Sequence, residues 1–254
     1  MTSGSRERGE SGADLLADAA ERGRRYLRQV ADRAVAPSPE AVSALRGLDF
    51  PLPESGFEPS QVLAFLDDVG SPATVASAGP RYFGFVTGGA LPIAVAAAWL
   101  LAAWDQNAAL SVMSPAAARL DAVAIRWVGQ LLGLPAGTSG SFVSGATMAN
   151  ATCLAAARDA VLARAGWDAA DLGLVGAPPI QVVVGDEVHA AVPKALGLIG
   201  LGRGRALRLP TDDQGRIAAK GLPRLAGPAI VCLQAGNVNS GASRDLTTDP
   251  AAYS

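Results

Sequence analysis

Apolar positions in residues 13–35 recur on one face of a helix with arginines opposite, which predicts an amphipathic helix that needs a partner surface. Pro37 and Pro39 break that pattern, and Ser38 is placed to cap a short helix over 40–45. Residues 50–59, punctuated by Pro51, Pro53 and Pro59, read as a connector. A further helix over 61–69 stops at Gly70-Ser71-Pro72. Residues 81–89 form an aromatic, glycine-laced loop, which either lines a pocket or is anchored to the core by Tyr82, Phe83 and Phe85. The run 90–104 is apolar all round, so the helix predicted over 93–104 is expected to be buried. Ser114 before Pro115 marks the next helix start, and Leu120, Val123, Ala124, Trp127, Val128 and Leu131 keep helical spacing through 116–132.

The pattern changes after Gly133 and Pro135. A short apolar lead, Phe142-Val143, enters the small-residue turn Ser144-Gly145-Ala146-Thr147 and then an alanine-rich helix running to Arg164. Residues 173–179 read as a loop. Residues 180–184 are continuous and β-branched, the mark of a strand buried on both faces. A helix over 190–199, a short strand over 207–210, a turn over 212–216, a short helix over 217–225 and a buried strand over 229–234 complete the alternation. Strands alternating with helices imply βαβ units and a mainly parallel sheet, hence an α/β fold. Three regions result: a disordered leader at 1–12, a helical N-terminal segment at 13–75, and an α/β domain at 76–254.

Composition narrows the function. The chain has 254 residues, half of them apolar, which is enough for a substantial core. A net charge of −2 and a pI near 5.5 give no basic footprint for nucleic acid. Cys153, Cys232 and the single histidine, His189, have no metal-site spacing, and both cysteines read as small core residues in a reducing, cytoplasmic setting. The polar residues 1–12 lack the apolar core of a signal peptide. The 90–104 run is shorter than the roughly 20 residues a membrane-spanning helix needs.

In an open parallel sheet, ligands sit beyond the carboxyl ends of the strands. Three groups collect there: the Gly145-Ala146-Thr147 turn, His189 after the first long strand, and the polar turn 235–241 that contains Asn237. A loop opening a helix presents free N–H groups and the positive dipole end to an anion, although an ordinary capped helix has the same outline. A phosphate cup, an imidazole and a polar turn on one rim suggest a ligand with a phosphate and a flat ring, and pyridoxal phosphate meets that description. A nucleophile elbow at Ser144 fails because its glycine positions are Phe142 and Ala146. A dinucleotide fingerprint at Gly200 fails because its third glycine position is Arg205.

The stretches Phe142-Val143-Ser144-Gly145-Ala146-Thr147-Met148-Ala149-Asn150, Asp186-Glu187-Val188-His189 and Gln234-Ala235-Gly236-Asn237-Val238-Asn239-Ser240-Gly241-Ala242 resemble the group II pyridoxal-phosphate-dependent amino acid decarboxylases. Arg81-Tyr82-Phe83-Gly84-Phe85 and Trp104-Asp105-Gln106-Asn107 are similar to that family's N-terminal segment, so the likeness spans about residues 70–242. The resemblance implies the fold type I transferase-like architecture, a homodimer, and release of an L-amino acid's α-carboxylate as carbon dioxide. By motif position, Gly145, Ala146 and Thr147 hold the cofactor phosphate, His189 stacks on the pyridine ring and serves proton transfer, and Asn237 contacts the cofactor.

The family's pyridine-pairing aspartate and Schiff-base lysine lie downstream of the Asn237 turn. Lys194 and Lys220 do not match that lysine by position, and after Ala242 the sequence Ser243-Arg244-Asp245-Leu246-Thr247-Thr248 departs from the family pattern. Gly79-Pro80 is a smaller departure, since the family often has a histidine before that proline. The expectation is a truncated or frame-shifted product in which the C-terminal part of the fold is missing, with weak or absent cofactor binding and no meaningful turnover. Two alternatives stand beside it: a non-catalytic partner of a full-length paralogue, and another fold type I pyridoxal-phosphate enzyme such as an aminotransferase.

Overall fold

A computed structural model of the chain describes residues 11–217 and 223–243. The chain divides into two compact units, Met1–Asp105 and Gln106–Ser254.

The first unit is helical. Helix α1 spans Gly12–Gln29 and opens on a capping box, in which the Ser11 hydroxyl accepts from the Asp14 N–H while the Asp14 carboxylate accepts from the Ser11 N–H. Ser11 and Gly12 thus belong to the helix start rather than to a leader, and residues 1–10 of the expected leader lie outside the described residues. Helix α2 spans Pro39–Ala44, capped by Ser38 as its sequence demands, and runs into a 3-10 turn at Leu45–Leu48. Helix α3, Pro59–Phe65, continues through a π turn at Leu66–Gly70 and a 3-10 turn at Ser71–Ala73.

The arginine face of α1 meets Asp67. Arg22 and Arg25 both pair with its carboxylate, the Ser71 hydroxyl donates to it at 2.6 Å, and Arg33 donates to the Ser71 carbonyl at 2.6 Å. The Ser71 hydroxyl, and then the two guanidinium groups, hold the Asp67 carboxyl below its ordinary range.

Helix α4 spans Pro92–Trp104, as the apolar run predicts, but it is not buried. Trp99 lies against Gly23 of α1, while Ile93, Leu100 and Trp104 are at least half exposed. The composition reports that a helix is apolar all round, and α1 covers part of it through the Gly23–Trp99 contact. The aromatic loop likewise fails to anchor: Phe83 and Phe85 are 93% and 95% exposed, and only Tyr82 is partly covered.

The second unit carries the sheet. Helix α5, Pro115–Leu131, is capped by the fully buried Ser114, whose hydroxyl accepts from the Ala117 N–H. Helix α6, Ala146–Arg164, buries Ala151, Leu154 and Leu162. The short helix α7, Ala169–Leu172, is absent from the sequence reading and is capped by Asp168. Strand β1, Gln181–Gly185, lies between the parallel strands β2, Leu207–Leu209, and β3, Ala229–Val231, with helix α8, Ala191–Leu198, on the β1-to-β2 crossover.

Val182 and Val184 pack with Leu154, Leu196 and Ile230 on one face of the sheet, while Val183 packs with Leu209 and Ile217 on the other. Burial of both faces is what a continuous β-branched run demands. Two expectations change here. Cys153 is exposed rather than a core residue, because the covered face of α6 is the one bearing Ala151 and Leu154. Ile217 forms an antiparallel bridge with Thr211 instead of opening a helix, and residues 223–225 are irregular. The intervening part of that expected helix, Lys220 included, lies outside the described residues.

Candidate functional site

The carboxyl ends of β1 and β3 open into a cavity of about 490 Å³. Among its lining residues are His189 from the loop after β1, Asn237 from the turn after β3, Arg216 from the intervening turn and Asn150 from α6. A parallel sheet gathers these groups because every strand ends at the same edge, so the loops that follow share one rim.

The His189 imidazole is exposed and sits just before α8. Its Nδ1 accepts from the Ala191 N–H at 3.2 Å, so the neutral ring keeps its proton on Nε2. Asn237 is 5% exposed and heavily used: its Oδ1 accepts from the Asn239 and Ser240 N–H groups at 2.8 and 3.2 Å, and its Nδ2 donates to Glu187 Oε2 at 2.7 Å. Asn237 therefore shapes the turn as well as lining the cavity. Cys232 also faces this space, and burial pushes its thiol up from its ordinary value, which keeps it protonated and unreactive near neutrality.

Gly145 is the N-cap residue of α6, and no side chain caps that helix. The first-turn N–H groups that an α-helix leaves without intrahelical partners are thus left for another acceptor, and nothing lies within 4 Å of where a Gly145 Cβ would stand. The cup residues Gly145, Ala146 and Thr147 do not line the cavity themselves. Asn150, one turn further along the helix, does, and its Nδ2 donates to the Ala146 carbonyl at 2.9 Å. The cup and the cavity thus share α6, while His189 and Asn237 share the cavity.

Sequence reasoning missed Asn150, Glu187 and Gly215 as members of this rim. All three stand within or beside stretches it singled out, but an Asn inside a helix, a Glu in a polar loop and a Gly in a turn each have an ordinary structural reading. No group of three or more metal-ligating side chains occurs among the described residues, and no described helix is long and apolar enough to cross a membrane.

The family model described as the pyridoxal-dependent decarboxylase conserved domain matches residues 46–231. Curated relatives include an aromatic-L-amino-acid decarboxylase from Bacillus atrophaeus, 29% identical over 77% of this chain and 40% of its own length. Tryptophan decarboxylase 1 from Oryza sativa subsp. japonica is 30% identical over 65% of this chain and 35% of its own length. The chain thus spans well under half the length of these relatives. Among solved structures, mouse CSAD superposes with a TM-score of 0.72 at 21% identity, covering 82% of this chain and 44% of that one. A tryptamine- and PLP-bound TDC from Oryza sativa gives a TM-score of 0.70 at 22% identity, over 82% and 44%. These likenesses show the fold to be that of the pyridoxal-phosphate decarboxylases, fold type I, in part.

Proposed function

The chain belongs to the pyridoxal-dependent decarboxylase family, and on that premise we propose that it forms the phosphate and ring side of a pyridoxal 5′-phosphate site serving decarboxylation of an L-amino acid. The observation that carries the reading is the meeting of His189 and Asn237 in one cavity at the carboxyl edge of the parallel sheet. The residues present fit the group. The uncapped start of α6 suits a phosphate dianion, and the cavity is large enough for a substituted pyridine.

When bound, pyridoxal phosphate supplies an electron sink for the pair left behind as an α-carboxylate departs as carbon dioxide. The chain's own groups bind and orient. The N–H groups at Ala146 and Thr147, aided by the dipole of α6, attract the phosphate, and the Thr147 hydroxyl adds a donor. The His189 imidazole offers a flat face to a heteroaromatic ring and a proton at Nε2, with its orientation set by the Ala191 N–H on the opposite nitrogen. Asn237 holds the turn 237–242 closed at the rim, where its N–H also donates to the Ala242 carbonyl at 2.8 Å.

Lys194 is exposed on α8 and does not line the cavity, and no lysine is among the described residues that do. The same proposal includes a cytoplasmic setting and a homodimer, and the exposed apolar residues of α4 support the second of these.

The test is calorimetric titration of the 254-residue chain with pyridoxine 5′-phosphate and with pyridoxine, which differ only in the phosphate. The expected result is saturable binding of the phosphate ester and at least tenfold weaker binding of the alcohol, the scale of one or more charge-assisted hydrogen bonds. Equal affinity for both would overturn the reading.

A further inference from the structure

Three loops meet at the rim of the cavity, and one contact ties them together. Glu187 lies two residues before His189, and its Oε2 accepts from Asn237 Nδ2 at 2.7 Å. Gly215, in the turn that carries Arg216, closes over this pair at φ +78: a Cβ on it would stand 2.1 Å from Asn237 Nδ2 and 2.6 Å from Glu187 Oε2. The Ser240 hydroxyl adds a second tie, donating to the Gln214 carbonyl at 2.7 Å.

The hydrogen-bond inventory of Asn237 is what gives the Glu187 contact its weight. Its Oδ1 is committed to the Asn239 and Ser240 N–H groups, its own N–H to the Ala242 carbonyl, and its carbonyl to the Gly241 N–H. The amide nitrogen is the remaining polar end, and it reaches out of the turn to the loop after β1. A carboxylate accepting there makes a charge-assisted hydrogen bond, shorter and stronger than a neutral one.

We infer that Glu187 is a positioning residue of the site: by holding Asn237, its carboxylate fixes the spacing between the His189 loop and the turn after β3, and so sets the width of the slot that takes the flat ring. This rests on the pyridoxal-phosphate reading given above. Glu187 touches neither ring nor phosphate in this role and acts through Asn237 and the backbone that leads to His189. Loops fixed in advance spare a ligand the entropy of ordering them, so loss of the tie appears as loss of affinity.

The test compares Glu187→Gln, which keeps an acceptor at the same reach, with Glu187→Met, which keeps the length and removes the acceptor. Glu187 is exposed, so neither replacement opens the core. Two quantities are read on the 254-residue chain: the affinity for pyridoxine 5′-phosphate, which has no aldehyde and needs no covalent link, and the ring resonances of His189 without ligand, unambiguous because the chain has one histidine. The expected result is about tenfold weaker binding for the Met variant and no more than about a threefold change for Gln. The His189 resonances are expected to shift in the Met variant and to stay near the parent's in the Gln variant.

Met and Gln variants that bind alike, or His189 resonances unmoved by Glu187→Met, would overturn the inference. A parent chain that takes up no pyridoxine 5′-phosphate overturns the cofactor reading instead, and the ligand-free His189 comparison then decides the role of Glu187 by itself.

Discussion

Gly215 shows how much of a site can depend on one missing side chain. Its φ of +78 lies in the left-handed region, and any Cβ there would collide with both partners of the Glu187–Asn237 hydrogen bond. Gly215→Ala is therefore expected to lower the stability of the second unit by about 1–3 kcal/mol, combining backbone strain with a displaced buried amide. Thermal unfolding checks this, and an unchanged midpoint would show that the turn relaxes freely. The residues of this rim were unequally legible. His189 and Asn237 could be read from their motifs, because an imidazole and an amide just beyond strand ends are few and their spacing is distinctive. Glu187 and Gly215 could not, because their importance lies in a contact between loops whose sequence separation no local pattern encodes. Cys153 was misplaced for a related reason: an apolar side chain in an alanine-rich helix has no periodic signal that says which face is covered.

Helix α6 carries the plainest conflict between folding and function at the scale of an element. Helix α5 begins on the Ser114 cap, whereas α6, like α3, α4 and α8, begins with no side-chain cap, here on Gly145. An uncapped start forgoes stability and leaves N–H donors for a ligand. Gly145→Asp is expected to reverse both. Nothing within 4 Å obstructs the new side chain, its carboxylate can cap the first turn, and stability should rise by about 0.5–1 kcal/mol. The same carboxylate occupies the anion's place and repels it, so affinity for pyridoxine 5′-phosphate should fall by at least tenfold. Denaturant unfolding and calorimetry of the one variant read the two effects, and a variant that loses stability while keeping its affinity would count against the cup. The outlines of such elements were legible because caps and prolines act locally: Ser38, Pro59 and Ser114 mark helix starts that the structure reproduces. The short α7 and the bridge at Ile217 were not, since neither contains enough residues to establish a period.

Across the whole molecule, the sequence carries the family more clearly than it carries the surface. Several motifs in a fixed order over residues 142–242 identify the decarboxylases, whereas the all-apolar run 93–104 says only that α4 must lose water contact somewhere. Trp99 accounts for one face of that helix, against Gly23 of α1. Ile93, Leu100 and Trp104, at i, i+7 and i+11, line up along another side with exposures of 73%, 55% and 50%. A continuous apolar stripe of this kind is costly to hydrate and is a recurrent mark of an association surface. If the chain pairs with itself through this stripe, as the proposed homodimer requires, association should rise with concentration and respond to one charge placed at its centre. Leu100→Glu puts a carboxylate where a second apolar stripe would have to exclude water, and burying that charge unpaired costs more than the contact returns. Sedimentation velocity across a concentration series is expected to show a dimer for the parent chain and a monomer for the variant at the same loading. A parent chain that stays monomeric throughout, or a variant that dimerises as readily, would assign the stripe of α4 to some surface other than a second copy.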